Sequence, residues 1–147
     1  MDTNKLREQL KIDEGVKYEV YDDHLGYKTF GIGHLVTPED EEYGSPCGTP
    51  VAVDRVNSVF DKDVETYISE SEKVFGNLQQ MPEEAQQVIV NMCFNMGAPR
   101  LGQFKKFIGG VNSGDWNTAA VEMMDSRWAK QVGVRADRLR DRIKALA

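Results

Sequence analysis

The chain has 147 residues, 40% of them hydrophobic, and a formal net charge of −6. At this length one domain is expected, since folding removes roughly two thirds of the surface that the unfolded chain exposes. No run of about 18 apolar residues occurs, so no membrane-spanning helix is expected, and the opening MDTNKLREQLKIDEG lacks the apolar stretch of a signal peptide. Cys47 lies in a Pro/Gly loop and Cys93 in an apolar helix, which reads as an exposed thiol and a small buried hydrophobe rather than a disulfide. Without a close Cys/His pairing, neither a metal site nor a cofactor is expected.

Charge is uneven. Residues 127 to 147 hold seven basic and two acidic side chains, which leaves −11 on the first 126. A basic tail raises nucleic acid or an anionic surface as partners. Leu139, Ile143 and Leu146, however, recur at helical spacing, with Arg138, Arg140, Arg142 and Lys144 largely on other faces. An amphipathic packing helix is therefore expected, with no nucleic-acid partner.

In chain order, Leu6, Leu10 and Glu14 recur every four residues, so a helix through them ends with a carboxylate on its buried stripe, and Gly15 supplies the stop. Desolvation there favours the protonated carboxyl and raises its pKa toward the range of a general acid; the alternative is a terminal Glu reaching back to water. Tyr18, Val20 and Asp22 then alternate with Glu19, Tyr21 and Asp23. DDHLG makes a turn, and a second alternating run from Tyr27 to His34 completes a β-hairpin. In that second strand Phe30, Ile32 and His34 share one face. Tyr27, Thr29, Gly31 and Gly33 share the other, a bare floor where a ligand can approach the backbone. Asp23, at the turn, sits in a wetter setting than Glu14. Glycoside hydrolysis needs two carboxylates in such contrasting environments, one protonated to donate to the leaving oxygen and one ionised.

Residues 36 to 52, with three prolines and acids at 39 to 42, read as a loop with a short edge strand, the acid run being solvated. Val56, Val59, Phe60, Val64, Tyr67 and Ile68 follow helical spacing over a long helix from 54 to 75. MPEEAQQVIVNMCFNMG places Pro82 at a first helical position and Gly97 as a stop, and its second half is apolar nearly all round, as in a central buried helix. Leu101 to Ile108 predicts a short helix and GGVNSG a turn. Asp115 predicts an N-cap for a helix to about Met124. Trp116 and Trp128 are both expected in the core.

The spacing Glu14, eight residues, Asp23, five residues, Thr29, together with IDEG, Tyr-x-Asp, GY-x-T and GIGH, resembles the phage-type (T4-like) lysozymes, glycoside hydrolase family 24. The resemblance continues through NMCFNMG (91 to 97), FKKF (104 to 107), GDWNTAA (114 to 120) and SRW (126 to 128) to Arg135, so it covers nearly the whole chain. It implies an α+β, lysozyme-like single domain over residues 1–147. A small N-terminal β-containing lobe (13–53) would be joined by the helix 54–75 to a helical C-terminal lobe (75–147, with 1–12), and the cleft would lie between them. It implies a muramidase that cuts the β-1,4 link between N-acetylmuramic acid and N-acetylglucosamine with inversion, and Glu14, Asp23 and Thr29 as the catalytic residues. It further implies substrate contacts at Gly33, Leu35, Phe94 and Asn95, an orienting role for Arg135 against the acid, and a structural ion pair between His34 and Asp63. The expected partner is bacterial peptidoglycan, the expected state a monomer without membrane insertion.

The composition departs from the often basic relatives: at net −6, electrostatic capture by an anionic wall is not expected. Two other classes compete. A lytic transglycosylase needs an acid but no water-directing carboxylate, and a non-catalytic glycan-binding module would have lost a triad member; Asp23 and Thr29 are both present. As a phage endolysin the protein would act from the host cytoplasm on the wall, and an animal copy would be secreted.

Overall fold

The computed structural model describes all residues, 1–147. The order of elements is α1 (Thr3–Glu14), β1 (Lys17–Asp22), β2 (Lys28–Gly31), β3 (His34–Leu35), α2 (Val53–Val74), a 3-10 turn (Leu78–Gln80), α3 (Glu83–Met96), α4 (Ala98–Leu101), α5 (Lys105–Ser113), α6 (Trp116–Met124), α7 (Arg127–Val132) and α8 (Val134–Lys144). This is the expected α+β composition, one three-stranded antiparallel sheet of order β1-β2-β3 among helices. No helix is long and apolar enough to cross a membrane.

The residues form two compact units, Thr3–Thr66 and Tyr67–Ala147 with Met1–Asp2. Two features differ from the expected lobes. α1 belongs with the strands rather than with the helical part, and the boundary falls inside α2 rather than at its ends.

In the smaller unit, Leu6 and Leu10 of α1 are fully buried, as their four-residue spacing requires, with Val20, Phe30, Ile32, Val56, Phe60 and Val64. The hairpin has the register Tyr21↔Thr29 and Asp22↔Lys28. The run from Tyr27 to His34 is not one strand. It breaks after Gly31 and turns back, so that Phe30 pairs with His34 across β2 and β3. Gly31 and Gly33, both near φ +65°, make that turn, a conformation open to glycine and costly for other residues. The expected flat glycine floor is therefore absent. The expected edge strand in 36–52 is reduced to a bridge between Glu19 and Pro50, flanked by hydrogen bonds from Val20 N to Thr49 O and from Val51 N to Tyr18 O.

In the larger unit α3 is the centre. Its residues Ala85 to Phe94 are all buried, so the helix meets neighbours on every side. Pro82 stands at its N-cap, one position earlier than expected, and Gly97 ends it at φ 84°. GGVNS is helical, not a turn: α5 continues through it and stops at left-handed Gly114. The helix survives two glycines because α6 packs tightly on it; a Cβ on Gly110 would lie 2.9 Å from Ala119 N. Asp115 caps α6 as expected, accepting from Thr118 N at 3.1 Å. Trp128 is 1% exposed, with its indole N–H donating to Asn95 Oδ1 at 2.7 Å. Trp116 is only half-buried and is not a core anchor. Both cysteines are free, Cys47 exposed and Cys93 buried.

Candidate active site

Glu14 is the last residue of α1 and half-buried. The helix ends there because Gly15, at φ 74°, takes the left-handed conformation while its N–H still bonds Lys11 O at 3.0 Å. The Glu14 carboxyl lies against Gly33, where a Cβ would come within 2.5 Å of Oε1. Gly33, expected to face substrate, is also the residue whose missing side chain makes room for this carboxyl.

Asp23 closes the hairpin turn. Its Oδ1 accepts from Leu25 N and Tyr27 N, both at 2.9 Å, and its own N–H bonds Tyr27 O. This Asx-type turn fixes the carboxylate and leaves Oδ2 for another donor. Thr29, on β2, is 4% exposed, and its hydroxyl donates to Tyr27 O at 2.9 Å. With its proton committed, the oxygen presents lone pairs only, as an acceptor.

Tyr21 stands opposite Thr29 in the ladder and two residues before Asp23, so strand alternation puts it on their face. Burial, then the charges of Glu14 and of Asp23, raise its pKa above the usual phenol value. The phenol therefore stays neutral beside both carboxylates. Lys17 Nζ sits 4.3 Å from its ring centre. Asp22 points away from this group: it pairs with Lys28 Nζ at 2.9 Å, and that ammonium also contacts Cys47 Sγ at 3.0 Å.

His34 follows Gly33 and is gripped from two sides, Nδ1 by Asp63 Oδ2 at 2.7 Å and Nε2 by Asp40 Oδ2 at 2.8 Å. The first contact is the expected ion pair. The second is a correction for half of the acid run, since Asp40 and Glu42 are partnered whereas Glu39 and Glu41 are exposed. Asp40 also accepts from Thr37 N at 2.8 Å, and Glu42, 9% exposed, takes Arg55 Nη2 at 2.9 Å and Nε at 3.1 Å. Burial alone would lower the His34 pKa, but the hydrogen bonds and charges of Asp63 and Asp40 outweigh it and raise the value. The sequence signal was the Thr37-Pro-Glu-Asp40 spacing, in which an acid three residues after a threonine bonds back to its amide.

Glu14, Asp23, Thr29, Gly33, Leu35, His34 and Asp63 all lie in the smaller unit. Leu35 is 51% exposed. Phe94, Asn95 and Arg135 belong to the larger one. There Phe94 is buried with its ring 5.1 Å from Tyr67, and Asn95 holds Trp128. Arg135 stands in the first turn of α8, 8% exposed, with Nε donating to Asn91 Oδ1 at 3.0 Å. No group of three or more His, Cys, Asp or Glu side chains is placed to hold a metal ion.

The chain matches the phage lysozyme family model over residues 11–145. It is 29% identical to probable T4-type lysozyme 2 of Dictyostelium discoideum, over 92% of this chain and 91% of the relative. Probable T4-type lysozyme 1 of the same organism is 30% identical over the same shares. The pre-baseplate central spike protein Gp5 of Enterobacteria phage T4 is 28% identical over 91% of this chain but only 26% of its own length. With Glu14, Asp23 and Thr29 brought onto one unit and the family match spanning nearly every residue, the chain belongs to the phage lysozyme family, the lysozyme-type peptidoglycan hydrolases.

Proposed function

We propose that the protein is an inverting muramidase of the glycoside hydrolase family 24 type, which cleaves the β-1,4 bond between N-acetylmuramic acid and N-acetylglucosamine and so lyses bacterial walls. Glu14 donates a proton to the leaving oxygen. Asp23 and Thr29 hold the water that attacks the opposite face of the sugar, Asp23 taking its proton. Arg135 keeps the orienting role that the resemblance implies; within its own unit its Nε is anchored on Asn91 Oδ1. Leu35 gives the sugar an apolar contact, while Phe94 and Asn95 act mainly through packing.

The observation that carries this reading is the fixed direction of Asp23 and Thr29 around Tyr21, whose phenol feels the charges of both Glu14 and Asp23. Thr29 has spent its proton on Tyr27 O, so it can only accept, as from a water O–H. Asp23 has spent Oδ1 on two amides, so Oδ2 is the oxygen available as base. A nucleophile already ionised gains nothing from such a neighbour, whereas a water held by two acceptors is aimed. A transglycosylase would leave the pair without a task, and so would a binding module.

Proton NMR of the first products from a β-linked peptidoglycan fragment should show the α-anomer before mutarotation. Initial β-anomer, or a sugar ester trapped on Asp23, would remove the water-directing role. Anhydro ends would show a transglycosylase, and the absence of new ends a binding module.

A further inference from the structure

The acidic segment after β3 holds a group for which the reaction scheme gives no task. Asp40 and Asp63 reach His34 from opposite ring nitrogens, at 2.8 and 2.7 Å, and all three side chains are about 15% exposed. A neutral imidazole has a single N–H, so two carboxylate contacts of this length are satisfied together only by the imidazolium. Asp40 is itself held by Thr37 N, Thr37 Oγ1 and Arg55 Nη2, and Arg55 by Glu42. These charges, with the Phe30 ring 4.9 Å from the imidazole, are the groups that face His34. The network therefore ties three pieces of chain to one ring: the 37–42 segment, α2 through Asp63, and the turn before His34.

That turn is the one that touches the acid. Gly33, bonded directly to His34, leaves no space for even a Cβ beside Glu14 Oε1. Gly33 is thus the surface on which the half-buried Glu14 carboxyl rests, and a shift of this backbone changes the space in which the carboxyl can stand. We infer that Asp40 is a positioning residue of the catalytic site: gripping His34 opposite Asp63, it holds Gly33 against the Glu14 carboxyl and so sets where the acid stands. This rests on the reading of Glu14 as the general acid. The expected Asp63–His34 pair would by itself leave the ring free to swing about one contact. Asp40 supplies the second point, which defines the ring's direction and that of the backbone it is attached to.

The test is Asp40→Asn, which keeps size and the Thr37 contacts but removes one charge from the ring. Its folding is checked by circular dichroism. Arg55→Gln, which removes the long contact to Asp40 together with the two bonds to Glu42, serves as a second variant that leaves both carboxylates on His34. Three quantities are read on purified peptidoglycan and by NMR: kcat, KM, and the titration of the His34 ring proton. The expected result for Asp40→Asn is a His34 titration moved to lower pH, a kcat lowered roughly 5- to 20-fold at pH 6 and a KM unchanged, as for a misplaced catalytic group rather than lost binding. Arg55→Gln removes a cation near the ring, so it should leave the titration in place or move it slightly to higher pH, and it should lower kcat by less because Asp40 keeps its charge and its Thr37 contacts. In Asp40→Asn, a moved titration with wild-type kcat would overturn the proposal by showing that the clasp holds the fold and not the acid. An unmoved titration would overturn it by showing that Asp40 does not grip the ring. If the wild type itself releases no reducing ends, it is the muramidase reading that fails, and the NMR arm still reports on the clasp.

Discussion

The two compact units are held together by different physics. In the larger one α3 is buried along ten consecutive residues, and the unit's other buried side chains include Phe75, Leu78, Leu101, Phe107, Met123, Leu139 and Ile143, apolar groups with exposures of at most 2%. In the smaller one a comparable apolar set around Phe30 and Phe60 shares the interior with ionised groups, His34 between Asp40 and Asp63 and Arg55 on Glu42. Apolar burial is indifferent to protons, and ion pairs are not. The first unit is therefore expected to behave as a scaffold, while the second carries both the chemistry and the sensitivity to conditions.

The sharpest way to break this division is a pair of substitutions with opposite signatures. Glu14→Gln keeps the shape beside Gly33 but has no acidic proton to give, so turnover should fall by at least ~10²-fold with thermal stability near that of the wild type. Ile89→Ala, in the fully buried stretch of α3, should do the reverse. It opens a cavity worth about 2–5 kcal/mol of stability, and below its lowered melting temperature the specific activity should stay close to normal. Turbidity clearance and calorimetry on both proteins decide the matter. A Glu14→Gln variant that clears walls at half the normal rate would show that the acid is elsewhere.

A second comparison uses pH. The His34 pKa is raised in the folded protein, so its contribution is fully present below the unfolded value, about 6.5, and is lost as pH rises through the folded value. For Asp40 burial acts upward, but the bonds from Thr37 and His34 outweigh it; for Glu42 the bond from Arg55 dominates. Both are lowered, so their contributions exist above the unfolded carboxylate range and are lost as pH falls through the folded values. The His34–Asp40 contact appears in both shifts and counts once. The melting temperature should therefore decline on the alkaline side as well as on the acid side. His34→Gln should flatten the alkaline decline and leave the acid decline in part. An alkaline decline of unchanged size in His34→Gln would detach the pH response from the clasp.

Periodicity made the apolar part of this architecture legible. The four-residue spacing of Leu6, Leu10 and Glu14 placed the half-buried acid at the end of a buried stripe, and the all-round apolar character of α3 announced its burial. Asp115 and Gly97 did their work locally, as cap and stop, and were readable for that reason. What escaped depended on contacts that the chain makes at a distance or on competing local signals. Gly31 and Gly33 fit an alternating strand as well as a turn, and only the antiparallel return of His34 onto Phe30 separates the two. Glycines 109 and 110 argue against a helix unless α6 is known to press on them. The acids at 39 to 42 looked solvated because their partners, His34 and Arg55, lie 6 and 13 residues from the acids they bind. In the site, the spacing of Glu14, Asp23 and Thr29 was visible, whereas the direction of each hydroxyl and carboxylate oxygen was set by the turn amides and Tyr27 O.

The smallest expected effect is also the one that isolates a single oxygen. Asp22 and Asp23 are adjacent, equally charged and both on the hairpin, yet they make opposite commitments. Asp22 pairs with Lys28 on one face, and that exposed contact lowers its pKa first through the Lys28 hydrogen bond. Asp23 turns to the face of Tyr21 and Thr29, with Oδ1 taken by Leu25 N and Tyr27 N. Alanine at position 23 would dissolve the turn and confuse geometry with chemistry. Asparagine keeps an acceptor for the two amides and replaces only the basic oxygen by an NH₂, which cannot take a proton from water. Asp23→Asn should therefore lose most activity while the hairpin amides keep their protection in hydrogen exchange. Asp22→Asn should stay within roughly twofold of wild type, because an exposed ion pair contributes little. Equal losses from the two would mean that the strand register is wrong by one residue, since a one-residue slip exchanges the faces of every side chain on β1.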